Sequence, residues 1–522
     1  MSSIWTFLLI WGVWLITPIL VDGVEAVARL YIVKTRRLDR GRRRRLEDWE
    51  LPTLSVIVPA HNEAEVIDRC LNSLKAQDYP HDKLEIIVVD DGSTDGTADR
   101  VEVHLNGGAP EGDASGSGFR VRGKPIRVGP FNGTLELIKN GHQGKAHALN
   151  AGIEAATGEI IINIDSDVVL APDAVRNTAA AFARNPELAA ATGNIEIDWD
   201  IIEARDEVGQ IVLDEDGHIV PRKLGPIERY LAKSQFLEYL SSFDLGRRSQ
   251  AITGTMYTLA GAYSAFRRET LAGCSYNNST VSEDTCLTFE FHRKGAQVGF
   301  VDNAKAYLEP VVEWDGLYAQ RVRWARGQLE VCGLNQDVVG SRQFGKFGRF
   351  ALPKMLLLDH TLAFPRLIWA PLLMFFPMIG YSWRIIALAG VALVAFYLIL
   401  EIVNALAVHA IADDHTKARM EKCGWALLGL PVYRFIVFHF RFSGFLVTLT
   451  EKQQWTMNGP MQTTRSDLRT LRLRSIELVT GTFVVLAASF LRVARFAATV
   501  LAPLLFSFVI VLRWIDSMRR NG

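Results

Sequence analysis

Cysteine is scarce in this chain of 522 residues: there are five, Cys70, Cys274, Cys286, Cys332 and Cys423, with no CxxC pair and no Cys/His grouping at metal-ligand spacing. That scarcity excludes a disulfide framework and a zinc site and fits a reducing compartment. Net charge is missing too, because 57 Lys and Arg balance 57 Asp and Glu. A polyanion binder carries excess base throughout, so nucleic acid is excluded as a main partner. The first 21 residues, MSSIWTFLLIWGVWLITPILV, hold no charge at all. Their apolar run is nearly long enough to cross a bilayer core. A signal peptide needs a basic region before such a run and a small-residue cleavage site after it, whereas here the basic cluster follows. Residues 34–45, KTRRLDRGRRRR, hold eight basic residues against one acid. An uncleaved helix is therefore expected, with those arginines on the cytoplasmic side of a lipid bilayer.

From about residue 51 to 340 the composition becomes that of a water-facing domain. LSVIVPA (54–60) and LEIIVVDD (84–91) are apolar runs of strand length, and EAEVIDRCLNSLKAQ between them has helical spacing. HALNAGIEAAT reads as a helix and EIIINID (159–165) as a third strand, so a parallel sheet covered on both faces is expected. The Gly/Ala/Ser-rich stretch 106–118 predicts a flexible loop, and 211–221 predicts a hairpin turning at its Asp-Gly step. Beyond about residue 350 long apolar stretches return. Membrane spans are expected at 4–21, 362–381, 385–412, 476–491 and 496–512, with 431–450, which carries Arg434, His439 and Arg441, lying in the interface.

Carboxylates cluster at the ends of strands. Asp90 and Asp91 close one, and Asp165 and Asp167 close another, where open parallel sheets bind their ligands. On an extended chain residues i and i+2 face one way, so Asp165 and Asp167 aim at one locus. Their repulsion asks for a cation, Mg2+ or Mn2+, bridging to a diphosphate. Each motif has a plainer reading: an acidic turn for DSD, a turn and cap for DDGSTDGT, a solvated lysine for Lys145. In VSEDTCLTFEFHRKG, Ser282 is the expected N-cap, and Glu283 and Asp284 fall in the first helical turn, where the dipole favours carboxylates. Asp284 is the candidate general base. QRVRWARGQ (320–328), if helical, puts Gln320, Arg323, Trp324 and Gly327 on one face, with Arg321 and Arg326 pointing elsewhere. One cation beside one flat ring suits a phosphate and a sugar, while an amphipathic membrane-edge helix is the alternative.

Taken in order, LSVIVPAHNE, VVDDGSTDGT, GKAHALNAG, IDSD, LAGAYSAFRRE, SED and QRVRW resemble the membrane-integrated glycosyltransferases of family 2, the group of cellulose, hyaluronan and poly-N-acetylglucosamine synthases. The resemblance covers residues 54–324. It implies an α/β fold: a cytosolic, Rossmann-like glycosyltransferase-A domain with a mostly parallel sheet, plus α-helical transmembrane and interfacial helices. It implies a membrane helix and basic segment at 1–46, a catalytic domain at 47–349 and a translocation channel at 350–522, in the cytoplasmic membrane. By the same resemblance Asp90 or Asp91 contacts the nucleoside of a UDP-sugar donor, Lys145 and Arg323 lie near the diphosphate, Asp165 and Asp167 hold donor and metal, and Glu283 and Asp284 are catalytic. Gln320, Trp324, Gly261 and Tyr263 would meet the growing polysaccharide. LAGAYSAF lacks the cysteine and Gly-Ser of the cellulose-synthase form, and FLVTLT has Thr450 where the gating motif has lysine, leaving Trp455 as the gating-loop candidate. Glucose and N-acetylglucosamine both remain open as the sugar, as do single-sugar transfer and a need for an accessory subunit or oligomer.

Overall fold

The computed structural model describes residues 23–35, 45–106, 119–356 apart from 123, 127, 207–210, 213, 215–218 and 279, and 376–450 apart from 379. The apolar runs form the strands their composition dictates: β1 is Leu54–Ala60 and β2 is Leu84–Asp91, the bounds expected from the sequence. They pair in parallel from Leu54 opposite Leu84, and β6 (Ile160–Ile164) flanks β1 on its other side from Ile160. A short antiparallel pair, β3 (Phe119–Val121) and β4 (Lys124–Ile126), stands apart.

The main sheet has eight strands in the order β5-β2-β1-β6-β9-β8-β10-β7, with β5 at Thr134–Asn140, β7 at Val169–Leu170, β8 at Leu188–Ile197, β9 at Tyr263–Arg267 and β10 at Gln297–Leu308. It is mixed: β9 runs antiparallel to both β6 and β8, and β7 runs antiparallel to β10, while the other pairs are parallel. The antiparallel β9 was not legible locally, because a strand's direction depends on where the preceding connection returns it.

Alternate residues of the central strands serve two cores. Val56, Val58, Ile86 and Val88 pack with Ile67, Leu71 and Phe182 on one face, and Ile57, Ile87 and Val89 pack with Leu149, Leu287 and Phe291 on the other. This two-sided burial is why the strands read as continuous apolar runs. The covering helices are α1 (Glu25–Thr35), α2 (Ile67–Lys75), α3 (Thr97–Leu105), α4 (Lys145–Ala155), α5 (Ala174–Arg184), α6 (Pro226–Tyr239), α7 (Arg247–Thr253), α8 (Glu283–Arg293) and α9 (Trp314–Leu334). Between α6 and α7 the chain winds through a π turn, Leu240–Gly246, a rare geometry that recurs at functional sites. The ends of the expected hairpin at 211–221 meet, Val220 N–H donating to Val212 O, and Ala204 N–H donates to Val220 O, while the expected Asp-Gly turn lies outside the described residues.

Among the described residues one helix, α10 (Trp383–His409), is long and apolar enough to cross a membrane, with a mean hydropathy of 2.6. It exposes Leu388, Val391, Ile399 and Leu406. Next come α11 (Asp414–Glu421) and α12 (Gly424–Thr450), whose first part, Gly424–Phe445, makes a bend of 78° with α11. The expected interfacial stretch 431–450 lies within α12, which packs on α9: a Cβ at Gly444 would meet Val322 O at 2.8 Å. The other expected spans, 4–21, 476–491 and 496–512, most of 362–381, the loop 107–118 and Trp455 lie outside the described residues.

Candidate active site

At the carboxyl ends of β1 and β2 the loops are knitted by side-chain caps. Asn62 N–H donates to Ser93 Oγ at 2.9 Å, Glu63 N–H to Thr97 Oγ1 at 2.8 Å and Ala64 N–H to Asp95 Oδ2 at 3.0 Å. Asp90 accepts from Ser93 N–H in a turn. Asp91, buried at the strand end, accepts from Gln143 N–H at 2.9 Å and Gly144 N–H at 2.8 Å, and so holds the loop that leads into α4. Gly144 has φ +96°, a conformation that side chains rarely adopt, and it directs Lys145 inward as the first residue of α4.

Lys145 Nζ donates to Asp165 Oδ1 at 2.5 Å and lies 3.7 Å from Glu283 Oε1. Burial works against its charge, but Asp165 and Glu283 outweigh it and raise the ammonium's pKa above its ordinary value. Asp167 is pushed up to about 6, first by burial and then by the charge of Asp165. Glu283 is pushed up to about 7 by burial, with Lys145 opposing and Asp284 reinforcing.

The first turn of α8 orients Asp284. Its Oδ1 accepts from Thr285 N–H at 2.6 Å and from the Ser282 hydroxyl at 3.1 Å, while Oδ2 accepts from Gly261 N–H at 3.0 Å. Ser282 occupies the N-cap position, but its hydroxyl serves Asp284 and Thr285 rather than a helical N–H. A Cβ on Gly261 would stand 3.6 Å from Asp284 Oδ2 and 3.5 Å from Lys145 Nζ, so the glycine leaves both groups open.

A cavity of about 700 Å³ gathers Lys145, Asp165, Asp167, Gly261, Glu283 and Asp284 with Gln320, Arg323 and Trp324 of α9. These residues come from segments spread from position 145 to position 324, yet they face one space. Asp90 and Asp91 are not among its lining residues.

Tyr263 requires a correction. The resemblance put it at the acceptor, but it is 1% exposed, and its hydroxyl bonds Thr178 Oγ1 at 2.7 Å and Ala174 O at 3.1 Å. Its ring fills the space over Gly193, where a Cβ would come within 1.9 Å of Cδ1. It is a core residue at the start of β9.

Arg321 is the main residue that helical phasing undervalued. It does point away from Arg323, but into a buried site: its guanidinium donates to Glu238 Oε2 at 2.6 Å and to the Tyr433 hydroxyl at 3.2 Å. It also lies 4.4 Å from the ring centre of Trp324. Trp324 is thus braced by Arg321 and by Tyr239 and Phe243 at the α6 end and π turn. Glu63, the acid of the HNE step after β1, is pushed up to about 7 by burial and then by Asp167 and Asp165. His61 and His142 were also missed: with Asp91 they bring three ligand-type atoms within 4.8 Å. Their rings stack at 4.2 Å and 26°, and both meet Asp91, His61 Nδ1 at 2.8 Å from Asp91 O and His142 Nδ1 at 2.9 Å from Asp91 Oδ2, which ties the two loops together at the strand end.

Two family models match the chain: Glycosyl transferase family 2 over residues 55–271 and Glycosyl transferase family group 2 over 217–408. Together they span the acid pairs, the Gly261 loop and the α9 face. The chain belongs to the family 2 glycosyltransferases. This glycosyltransferase is 25% identical over 338 residues to the poly-beta-1,6-N-acetyl-D-glucosamine synthase of Staphylococcus aureus, covering 64% of this chain and 69% of that one. It is 26% identical over 317 residues to the synthase of the same name from Staphylococcus epidermidis, covering 60% and 64%. Among solved structures it aligns with a mannosyltransferase from Pyrobaculum calidifontis in complex with GDP-Man and Mn2+, at 18% identity and a TM-score of 0.48, over 83% of this chain and 98% of that one.

Proposed function

We propose that this glycosyltransferase is a processive, inverting enzyme that polymerises a UDP-activated sugar into a β-linked polysaccharide and passes the product across the membrane. The observation that carries the reading is the single cavity shared by Asp165, Asp167, Glu283 and Asp284 and the Gln320/Arg323/Trp324 face. A catalyst that adds one sugar needs the first set, and one that retains its product also needs a platform for the chain. The synthase relatives favour N-acetylglucosamine as the sugar, with glucose the alternative. Residues 1–46 and 350–522 are the proposed membrane parts around a glycosyltransferase-A domain at 47–349, with the apolar surface of α10 in support.

In the proposed mechanism Asp284 takes the proton of the acceptor hydroxyl. Oδ1 is occupied by Thr285 and Ser282, so Oδ2, which carries only the Gly261 N–H and faces the cavity, is the accepting oxygen. The hydroxyl oxygen then bonds to the anomeric carbon as the bond to the diphosphate breaks, and the configuration inverts. Lys145 and Arg323 draw the diphosphate into place. Asp165 and Asp167 fit a hard dication, because the repulsion that raises the Asp167 carboxyl is relieved by one. When bound, Mg2+ or Mn2+ would supply positive charge to the leaving diphosphate. Asp91, with His61 and His142, marks the proposed nucleoside end.

The test is UDP release by the purified full-length protein with UDP-N-acetylglucosamine and UDP-glucose, with and without chelator, followed by sizing of the product and digestion by linkage-specific glycosidases. A high polymer from one donor, lost on chelation and restored by Mg2+ or Mn2+, is expected. A single added sugar would refute processivity, and no release from either donor would refute the donor assignment.

A further inference from the structure

Several cations around the cavity already face carboxylates: Lys145 has Asp165 and Glu283, and Arg321 has Glu238. Arg247, at the end of the π turn, differs. It lines the cavity while only 6% exposed, and among the described residues no carboxylate lies within salt-bridge reach of it. Its hydrogen bond goes to a thioether, from Nη1 to Met256 Sδ at 3.2 Å. Its guanidinium sits 5.3 Å from the ring centre of Phe243 and 5.7 Å from that of Tyr257. Burial pushes its pKa below the ordinary arginine value, and Tyr257 and then Asp284 offset this only in part.

A buried charge without a counter-ion is costly, and a fold that keeps one in a cavity holds it ready for an anion. Two aromatic rings flank the guanidinium, whose planar fork matches two oxygens of a phosphoryl group. Thr253, Thr255 and Thr258 also line the cavity, with Thr253 Oγ1 bonded to Ser249 O and Thr255 Oγ1, and Thr258 Oγ1 bonded to Thr285 Oγ1. We propose that Arg247 is a phosphoryl-binding residue, receiving two oxygens of a substrate phosphate on the Asp284 side of the cavity. The inference rests on the function proposed above, and the phosphate belongs either to the nucleotide donor or to a phosphorylated acceptor.

The test uses the full-length protein in detergent, titrated by calorimetry with UDP and, separately, with farnesyl phosphate, for the parent and for Arg247→Gln. Loss of roughly tenfold or more in affinity for one of the two is expected, and which one identifies the source of the phosphate. Phenylglyoxal footprinting of the parent adds a readout that needs no variant: the phosphate that binds at Arg247 slows its modification. If UDP binds the parent but neither affinity changes by more than about twofold in Arg247→Gln and neither compound protects Arg247, the inference fails and the proposed function stands. If the parent binds neither compound, both are overturned.

Discussion

Replacing Arg321 by Met should loosen the candidate active site at Gln320 and Trp324, which its guanidinium contacts, while leaving Lys145, Asp165, Glu283 and Asp284 in place. The guanidinium is 2% exposed and satisfies Glu238 Oε2 at 2.6 Å and the Tyr433 hydroxyl at 3.2 Å, linking α9 to α6 and α12. Burial opposes the charge, but Glu238 and the phenols of Tyr433 and Tyr239 hold its pKa above the ordinary arginine value. Removing one partner of such a pair strands the Glu238 carboxylate in a largely dry site, at a cost of about 3–5 kcal/mol. Loss of the cation from the Trp324 face adds up to about 2 kcal/mol, though the two contributions overlap and do not sum. At about 2 °C per kcal/mol for a large domain, the thermal midpoint should fall by roughly 6 °C or more. Adding Glu238→Gln to Arg321→Met removes the stranded charge and should restore at least half of the loss. The assay is thermal unfolding of the full-length protein in detergent for the parent, both single variants and the double variant. An Arg321→Met midpoint within about 1 °C of the parent, or strict additivity in the double variant, would refute the buried-pair argument.

Asp284→Asn keeps an acceptor for Gly261 N–H but cannot take a proton, so product formation should fall by about 10²–10⁴ with UDP affinity unchanged; substantial retained turnover removes Asp284 from its role. Gly261→Ala should fold normally, since the nearest atoms would be 3.5 and 3.6 Å away, but its methyl would lie in van der Waals contact with Asp284 Oδ2, take up space the acceptor hydroxyl needs there, and cut turnover by about tenfold or more. Glu283 has a folded-state value of about 7 against 4.5 for the free side chain, so between those values the folded chain binds more protons than the unfolded one. Its contribution to stability is therefore present at low pH and lost as pH rises through that window. The parent's thermal midpoint should fall more than that of Glu283→Gln between about pH 5 and pH 8, and equal falls would contradict the assignment. Tyr263→Phe should cost about 1 kcal/mol of stability and leave turnover unchanged, because the lost hydroxyl bonds lie in the core; a drop in turnover would return Tyr263 to the acceptor side.

Much of the site was legible because it is written in local periodicities. The bounds of β1 and β2 follow from apolar runs, and with them the position of Asp90 and Asp91 at a strand end. The phase of α9 follows from 3.6 residues per turn, which brought Gln320, Arg323 and Trp324 to one face before any fold was known. The ordered motifs carried the family, which the two family models match. Tyr263 shows where that legibility stopped: in β9 its side chain had to take one face of the sheet or the other, and the missing side chain of Gly193, on β8, made room for it in the core.

What the sequence determined by itself was which residues are strand, which are helix and which side chains share an element's face, because φ/ψ preferences and hydrophobic period act between near neighbours. Only the tertiary structure decided which faces meet. Lys145 reaches Asp165 and Glu283 because α4, the end of β6 and the start of α8 converge. Arg321 becomes a buried anchor because Glu238 and Tyr433, 83 and 112 residues away, arrive on other helices. Arg247, unremarkable in the sequence, acquires from the π turn that precedes it a place in the cavity with no carboxylate partner among the described residues. Burial and pairing depend on partners far along the chain, and no local pattern encodes them.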